Sequence, residues 1–503
     1  MFLEAVTGRG DGTVVDAAGL PEELGAFDMI LHRGEAHPRT RSGIMALLLL
    51  DNTPDWNRLL AGFEQASRRV LRLRQKVVVP TVPTASPRWV VDPDFNLNFH
   101  VRRVRVPDRG TLREVFDLAE VCLQSPLDIS RPLWTATLVE GIADGRAAVL
   151  LHMSHAIADG VGAVEMFANI YDFERDPPPR EPAPIPIPQD LTGNELAREG
   201  FNRLPVTILG GVVGALTGTA QVVGRVLSDP VSAVGGAVSY ARSSTRVMSS
   251  TAERSPLLRR RSLTSRTEAI DMELRDIRAA AKAAEGSIND AYLAAICGAL
   301  RLYHHELGVP INALPMGIPV NLRAEADPAG GNRFAGVMID APLGISDPAA
   351  RIHNVRTQMV KRRDEPAIDM ISSVAPLLGL LPDPLLESVV GSLVSADVQA
   401  SNVPMYPGET FIAGGKVVRQ YGLGPLPGVA MMAVLISHSG LCSVTTRYDR
   451  ASVREDELWA RCLLAGFNEI LALGGAGRAV PATFTQSTAT SSQEPSANGS
   501  SPS

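Results

Sequence analysis

The sequence predicts an α/β protein of two domains, and three observations carry that expectation. A chain of 503 residues exceeds what a single hydrophobic core usually organises. Short apolar runs such as residues 44–50 alternate with helical patterns such as residues 56–72, which is the α/β signature. Seven prolines then crowd into residues 177–188, an extended and semi-rigid connector between two mixed regions.

Taken in order, residues 1–18 are rich in Gly and Asp and read as a flexible lead-in. They show no basic start followed by an apolar stretch and a cleavage site, so no signal peptide is expected. Residues 19–176 form the first domain, 177–262 the connector region, 263–478 the second domain and 479–503 a Ser- and Thr-rich tail expected to be disordered. Inside the connector region, residues 204–224 carry no charge, and 230–241 repeat that small, uncharged character. Five glycines in the first stretch argue against a membrane span and for helices packed on the domains or lying at a membrane surface.

Composition narrows the function. At 45% apolar and 20% charged residues the chain is globular with large cores. A net charge of −6 makes no global case for nucleic acid. The basic runs at Arg68–Lys76, Arg259–Arg261 and Lys361–Arg363 read first as solvated faces, with phosphate or anionic head groups as the functional alternative. Cys122, Cys297, Cys442 and Cys462 are isolated, which suits a reducing interior and suggests neither a disulfide framework nor a metal centre.

The chemistry concentrates near residue 155. Residues 147–153 read as a buried strand, followed by His155-Ala156-Ile157-Ala158-Asp159-Gly160 and then a helical pattern through Val161, Val164, Phe167 and Ile170. The unperturbed pKa of His lies near neutrality, so His155 could take a proton from a hydroxyl and return it to a leaving thiolate. Asp159 is a plausible anchor for the turn, and Gly160 permits a positive φ or close packing. Alternation along the strand sets Val149, Leu151, Met153 and His155 on one face, and Leu150, His152 and Ser154 on the other. His152 is therefore expected to be a core histidine rather than a catalytic partner.

These residues and a series of further blocks resemble one family. Upstream lie Trp89, Asp92, Phe95 and His100, then Pro132-Leu133-Trp134. Downstream come Ile288-Asn289-Asp290-Ala291, Pro319-Val320-Asn321-Leu322-Arg323 and Gly331-Asn332-Arg333-Phe334. Ser401-Asn402-Val403-Pro404 and Gly424-Pro425-Leu426-Pro427 complete the set. By these motifs the chain is identified as a member of the bacterial wax ester synthase/acyl-CoA:diacylglycerol acyltransferase family. The family's His-His-x-x-x-Asp-Gly is altered here, with Ser154 at the first histidine. In the wider superfamily a single histidine suffices, and it corresponds to His155.

The resemblance implies two stacked chloramphenicol acetyltransferase-like domains with an interfacial substrate channel. It implies transfer of a long-chain acyl group from acyl-CoA, a co-substrate, to diacylglycerol or a long-chain alcohol, with His155 as general base and no cofactor or metal. Asp159 and Gly160 would support the turn. Asn289 and Asn402 would border the channel, while Ser287 to Asp290 also fits a helix cap and Asn402 could equally hold a loop. Trp134 reads as core or as tunnel lining. His304-His305 lacks the Asp-Gly and is expected at the surface. Substrates of this kind imply a cytoplasmic protein touching a membrane or lipid-droplet surface. The alternatives are a non-catalytic lipid-binding homologue and an acyltransferase drawing on a carrier-protein donor.

Overall fold

The computed structural model describes residues 22–107, 109–157, 169–178, 181–203, 250–321, 334–363, 396–475 and 477–484. Within them the chain builds two mixed β-sheets with helices packed against them.

The first sheet contains β1 (Gly43–Leu50), β4 (Val101–Arg105), β5 (Trp134–Glu140) and β6 (Ala147–Ser154). It also takes β11 (Phe411–Ile412) and β12 (Gly415–Leu423), and its strand order is β11-β12-β1-β6-β5-β4. A separate short hairpin pairs β2 (Gln75–Val78) with β3 (Arg88–Val91). Every residue of β6 is buried, because this strand lies between β1 and β5 and is covered on both faces. On one side Ala148 and Leu150 meet Val115, Phe116, Ala119 and Leu123 of the helix Leu112–Gln124. On the other, Val149, Leu151 and Met153 share a core with Leu59 and Phe63 of the helix Trp56–Arg69.

The second sheet adds β7 (Ser265–Glu273), β8 (Ala313–Asn321), β9 (Phe334–Pro342), β10 (Val398–Pro404), β13 (Met431–His438), β14 (Leu441–Asp449) and β15 (Val480–Pro481). Its order is β15-β7-β14-β13-β10-β8-β9, with β10 parallel to both β8 and β13. The helices Leu274–Ala283, Ile288–Glu306, Pro348–Arg363 and Asp456–Leu471 pack on one face. The helix Ile288–Glu306 is almost wholly buried, which explains why its apolar residues run around the helix rather than along one stripe.

One connection was not legible beforehand. β12 follows β10 in sequence yet pairs with β1, so the second half of the chain contributes two strands to the first sheet. β12 crosses directly over β13. A Cβ at Gly422 would come within 2.9 Å of Val434 and 3.2 Å of Ile436, so only glycine lets the strand pass this closely. Thr445 Oγ1 donates to the Gly422 carbonyl and fastens the crossing. The sheets are also tied by charge. Glu120, on the helix Leu112–Gln124, accepts from Arg447 at 3.1 and 3.2 Å and from Ser265 and Thr267, all of them on the second sheet.

The proline-rich connector runs against the first half. The Ala183 amide donates to Gln65, Arg68 donates to the Ala183 carbonyl, and the Gln189 amide donates to the Val91 carbonyl. Residues 204–241, where uncharged helices are expected, lie outside the described residues, as do those beyond 484. The tail expected to be disordered from residue 479 instead begins in order: Val480–Pro481 pair with β7, and buried Thr483 donates to Glu268 and accepts from the Ala269 amide. Among the described residues no helix is long and apolar enough to cross a membrane.

Two further expectations are corrected. The basic run from Arg68 to Lys76 is not a solvated face, because Arg72 and Arg74 are buried. Their guanidinium groups lie over Trp89 and Phe95, each 4.4 Å from the ring centre, and Arg74 also binds Glu64 at 2.6 Å. His304 is likewise interior, although His305 is exposed. Its Nδ1 donates to the Leu300 carbonyl at 2.8 Å, which leaves Nε2 to accept from Ser255 Oγ at 2.7 Å. The segment carrying Ser255 covers the His304 side of this last helical turn.

Candidate active site

The central strand β6 delivers the candidate base. Its final residue, Ser154, donates its backbone N–H to the Leu133 carbonyl at 3.0 Å, and the chain then turns. The Ile157 amide bonds to the Ser154 carbonyl at 3.1 Å, and the Ala156 amide bonds to Ser154 Oγ at 3.2 Å. The serine thus closes a side-chain turn of the kind that Ser and Thr hydroxyls form with the amide two residues on. Within it His155 is half-buried while Ala156 and Ile157 are buried. His155 thus keeps some exposure while the two residues that follow it are packed inside. Asp159 and Gly160 lie outside the described residues.

Alternation along β6 holds as far as Ser154, which faces away from the Met153 side into a polar pocket. Its hydroxyl is fully buried and donates to Glu35 Oε1 at 2.8 Å. Ser42 Oγ donates to the same oxygen at 2.9 Å. Glu35 is only 1% exposed, and burial raises its carboxyl pKa while the serine hydrogen bonds and Arg41 oppose that shift. No motif pointed to Glu35. It stands alone at the end of the helix Ala26–Gly34, 119 residues from its partner.

His152 occupies the same face. Burial, reinforced by the positive charges of Arg447, Arg41 and Arg102, depresses its pKa to about 3, so it is neutral near pH 7. A Cβ on Gly43 of the neighbouring strand would come within 2.8 Å of its Nε2, so glycine at that position makes room for the ring. His152 is a core histidine.

The two aromatic blocks of the first half prove to be one assembly. Trp134 is buried, donates its indole N–H to the Leu73 carbonyl at 2.8 Å, and stacks on His100 with centroids 4.7 Å apart. His100 Nδ1 donates to the Trp134 carbonyl at 2.7 Å, and Phe95 stacks on the other side at 5.1 Å. Asp92 pairs with Lys76 at 2.8 Å. Trp134 opens β5 and pairs with Met153 of β6, two residues before His155.

Asn289 and Asn402 lie on elements of the second half. Asn289 is half-buried in the first turn of the helix Ile288–Glu306. Its neighbour Asp290 closes a capping box, taking the Ser287 amide at 2.8 Å while Ser287 Oγ takes the Asp290 amide at 3.2 Å. Asn402 is half-buried on β10, opposite Leu435 of β13, and shares the strand face of Val398 and Ala400. Three cysteines are buried, and their thiol pKa values are pushed up to about 11 or 12 by desolvation, which makes poor nucleophiles of them. Among the described residues no three His, Cys, Asp or Glu side chains gather as a metal would require.

Comparison with known proteins accounts for this arrangement. The wax ester synthase/diacylglycerol acyltransferase catalytic domain profile matches residues 15–292, and the C-terminal domain profile of the same family matches residues 330–471. A Mycobacterium tuberculosis protein bearing a provisional name as a diacylglycerol O-acyltransferase is 67% identical over 467 residues, covering 92% of this chain and 95% of its own. Among solved structures, the wax ester synthase/diacylglycerol acyltransferase of Marinobacter aquaeolei VT8 superposes with a TM-score of 0.62 at 18% identity, over 90% of this chain and all of that one. The starter condensation domain of rhizomide synthetase, in complex with C8-CoA and Leu-SNAC, superposes at 0.54 with 11% identity, over 93% and 97%. These likenesses identify the fold as the two-domain, chloramphenicol acetyltransferase-like α/β architecture. With both profiles matched in order and two-thirds identity over nearly the whole length, the chain belongs to the wax ester synthase/diacylglycerol acyltransferase family and is an acyltransferase enzyme.

Proposed function

We propose that the protein moves a long-chain acyl group from acyl-CoA to the hydroxyl of diacylglycerol or a long-chain alcohol, with His155 as general base. The observation that carries this reading is the placement of His155. It leaves the central strand in a turn fixed by buried neighbours and keeps part of its surface open. A base must be held within hydrogen-bond reach of the hydroxyl it deprotonates, and such a turn suits that task.

In the reaction the acceptor oxygen attacks the thioester carbonyl while His155 takes its proton. The tetrahedral oxyanion collapses, the C–S bond breaks, and the proton passes from His155 to the departing CoA thiolate. The step needs no covalent enzyme intermediate, and no cofactor or metal is invoked. Asp159 and Gly160 are assigned to shaping the turn. Asn289 and Asn402 are assigned to the walls of a substrate channel between the halves, where an amide could donate to substrate or to the oxyanion. The acceptor would come from a membrane or lipid-droplet surface touched by a cytoplasmic protein.

The first experiment measures thiol release from palmitoyl-CoA with diacylglycerol, with hexadecanol and with no acceptor, alongside His155→Ala. Acceptor-dependent release that falls by about 10² to 10⁴ in the variant supports the proposal, equivalent to roughly 3 to 5 kcal/mol of barrier. Folded protein that binds palmitoyl-CoA but releases no thiol with either acceptor would overturn the proposed donor and point to a carrier-protein donor.

A further inference from the structure

We infer that Glu35 is a positioning residue for the catalytic turn, acting through Ser154, the residue that replaces the motif's first histidine. The inference rests on the proposed role of His155 and adds the group that holds it in place.

The geometry is a relay of hydrogen bonds without a gap. The Ala156 amide donates to Ser154 Oγ at 3.2 Å, Ser154 Oγ donates to Glu35 Oε1 at 2.8 Å, and Ser42 Oγ donates to the same oxygen at 2.9 Å. A hydroxyl has one proton, so Ser154 can accept from Ala156 in a fixed direction only if its own proton has a fixed destination. Glu35 supplies that destination. His155 lies between the two residues the serine ties together, so the rotamer of Ser154 sets the geometry of the turn that presents the imidazole. Without the carboxylate the hydroxyl would be free to rotate, and the turn would lose one side of its clamp.

Glu35 is itself held by three elements. It is the residue that ends the helix Ala26–Gly34, its carbonyl accepts from Arg41 Nε at 3.2 Å, and Arg41 Nη1 reaches the Gln124 carbonyl at 2.6 Å. The relay therefore runs from the end of the helix Leu112–Gln124 through residues 35–42 to the end of β6. Burying a carboxyl is costly, and a core lacking any task for it would hold an apolar side chain instead. Glu35 Oε2 is buried with no hydrogen-bond partner among the described residues, so one oxygen alone does the work. That asymmetry separates two substitutions. Glutamine can keep the accepting oxygen, whereas methionine, of similar size, cannot.

The test compares Ser154→Ala, Glu35→Met, Glu35→Gln and the double variant Ser154→Ala/Glu35→Met in the palmitoyl-CoA assay. Turnover is normalised to folded protein measured by near-UV circular dichroism. A misplaced base costs up to about 100-fold. Ser154→Ala and Glu35→Met are each expected to lower kcat by roughly 10-fold or more with KM for palmitoyl-CoA within about twofold. The double variant should be no worse than the poorer single one, because both break the same relay. Glu35→Gln should recover turnover to within about threefold of the parent. Should Glu35→Met fail to fold, Ser154→Ala alone decides, since removing one oxygen leaves the core volume nearly intact. A kcat for Ser154→Ala within twofold of the parent, beside a collapsed His155→Ala, overturns the inference and leaves the base assignment standing. If His155→Ala retains full turnover, the base assignment itself is wrong and the inference falls with it.

Discussion

At the scale of single residues, buried imidazoles dominate the titration behaviour. Burial lowers the pKa of His152 to about 3 and those of His32 and His438 to about 4, against an unfolded value near 6.5. The folded protein keeps these rings neutral, while the unfolded chain takes up their protons as pH falls below about 6.5. Their contribution to stability is therefore complete above that value and is lost progressively toward pH 3 to 4, by roughly 1 kcal/mol per pH unit for each histidine. Urea midpoints between pH 7 and pH 5 should fall less steeply for His152→Gln than for the parent. Trp134 invites a second test. Its ring stacks on His100 in a closed core, so Trp134→Ala should cost about 3 to 5 kcal/mol in chemical denaturation. His152 could be read as a core histidine in the sequence because strand alternation is a local rule. Glu35 could not be found that way, since a lone acid after a helix carries no periodic or spacing signal. His304 was misjudged because its shelter comes from Ser255, 49 residues away.

At the scale of elements, local rules served well wherever the neighbours were also local. The expected strands at residues 44–50 and 147–153 and the helix beginning at Trp56 all formed, each read from a run of apolar residues or a helical period. So did the cap at Ser287, and Ser287→Ala should cost about 1 kcal/mol, measurable as a shift in thermal midpoint. What escaped notice was the charge joining the helix Leu112–Gln124 to the second sheet. Glu120 resembles any helix-surface acid in sequence, and only the fold shows it buried against Arg447. Removing one partner strands the other without water. Arg447→Met or Glu120→Leu should each cost about 3 to 5 kcal/mol, and the double variant clearly less than their sum, as a double-mutant cycle in urea would record.

At the scale of the whole molecule, two α/β halves could be read from length, alternation and the proline-rich connector, but their interlocking could not. Nothing in the nine residues of β12 names β1 as the partner, because a mixed strand of that length could pair with any open edge. With β12 lodged in the first sheet and Glu120 lodged against the second, neither half has a complete structure alone. Unfolding in urea followed by tryptophan fluorescence and by far-UV circular dichroism should give coincident transitions, and two separated transitions would show the halves to be independent.

The crossover also sets a schedule for biosynthesis. β1 ends at Leu50 and β12 begins at Gly415, so the ribosome adds about 360 residues before the strand that covers the β1 edge exists. At roughly 5 to 20 residues per second this takes on the order of 20 to 70 s. For that interval an edge containing Leu47, Leu48, Leu49 and Leu50 waits uncovered on the nascent chain, and an open apolar edge is a template for association. The yield of this enzyme in a cell should accordingly depend on chaperones that shield nascent strands and on the pace of translation through its second half.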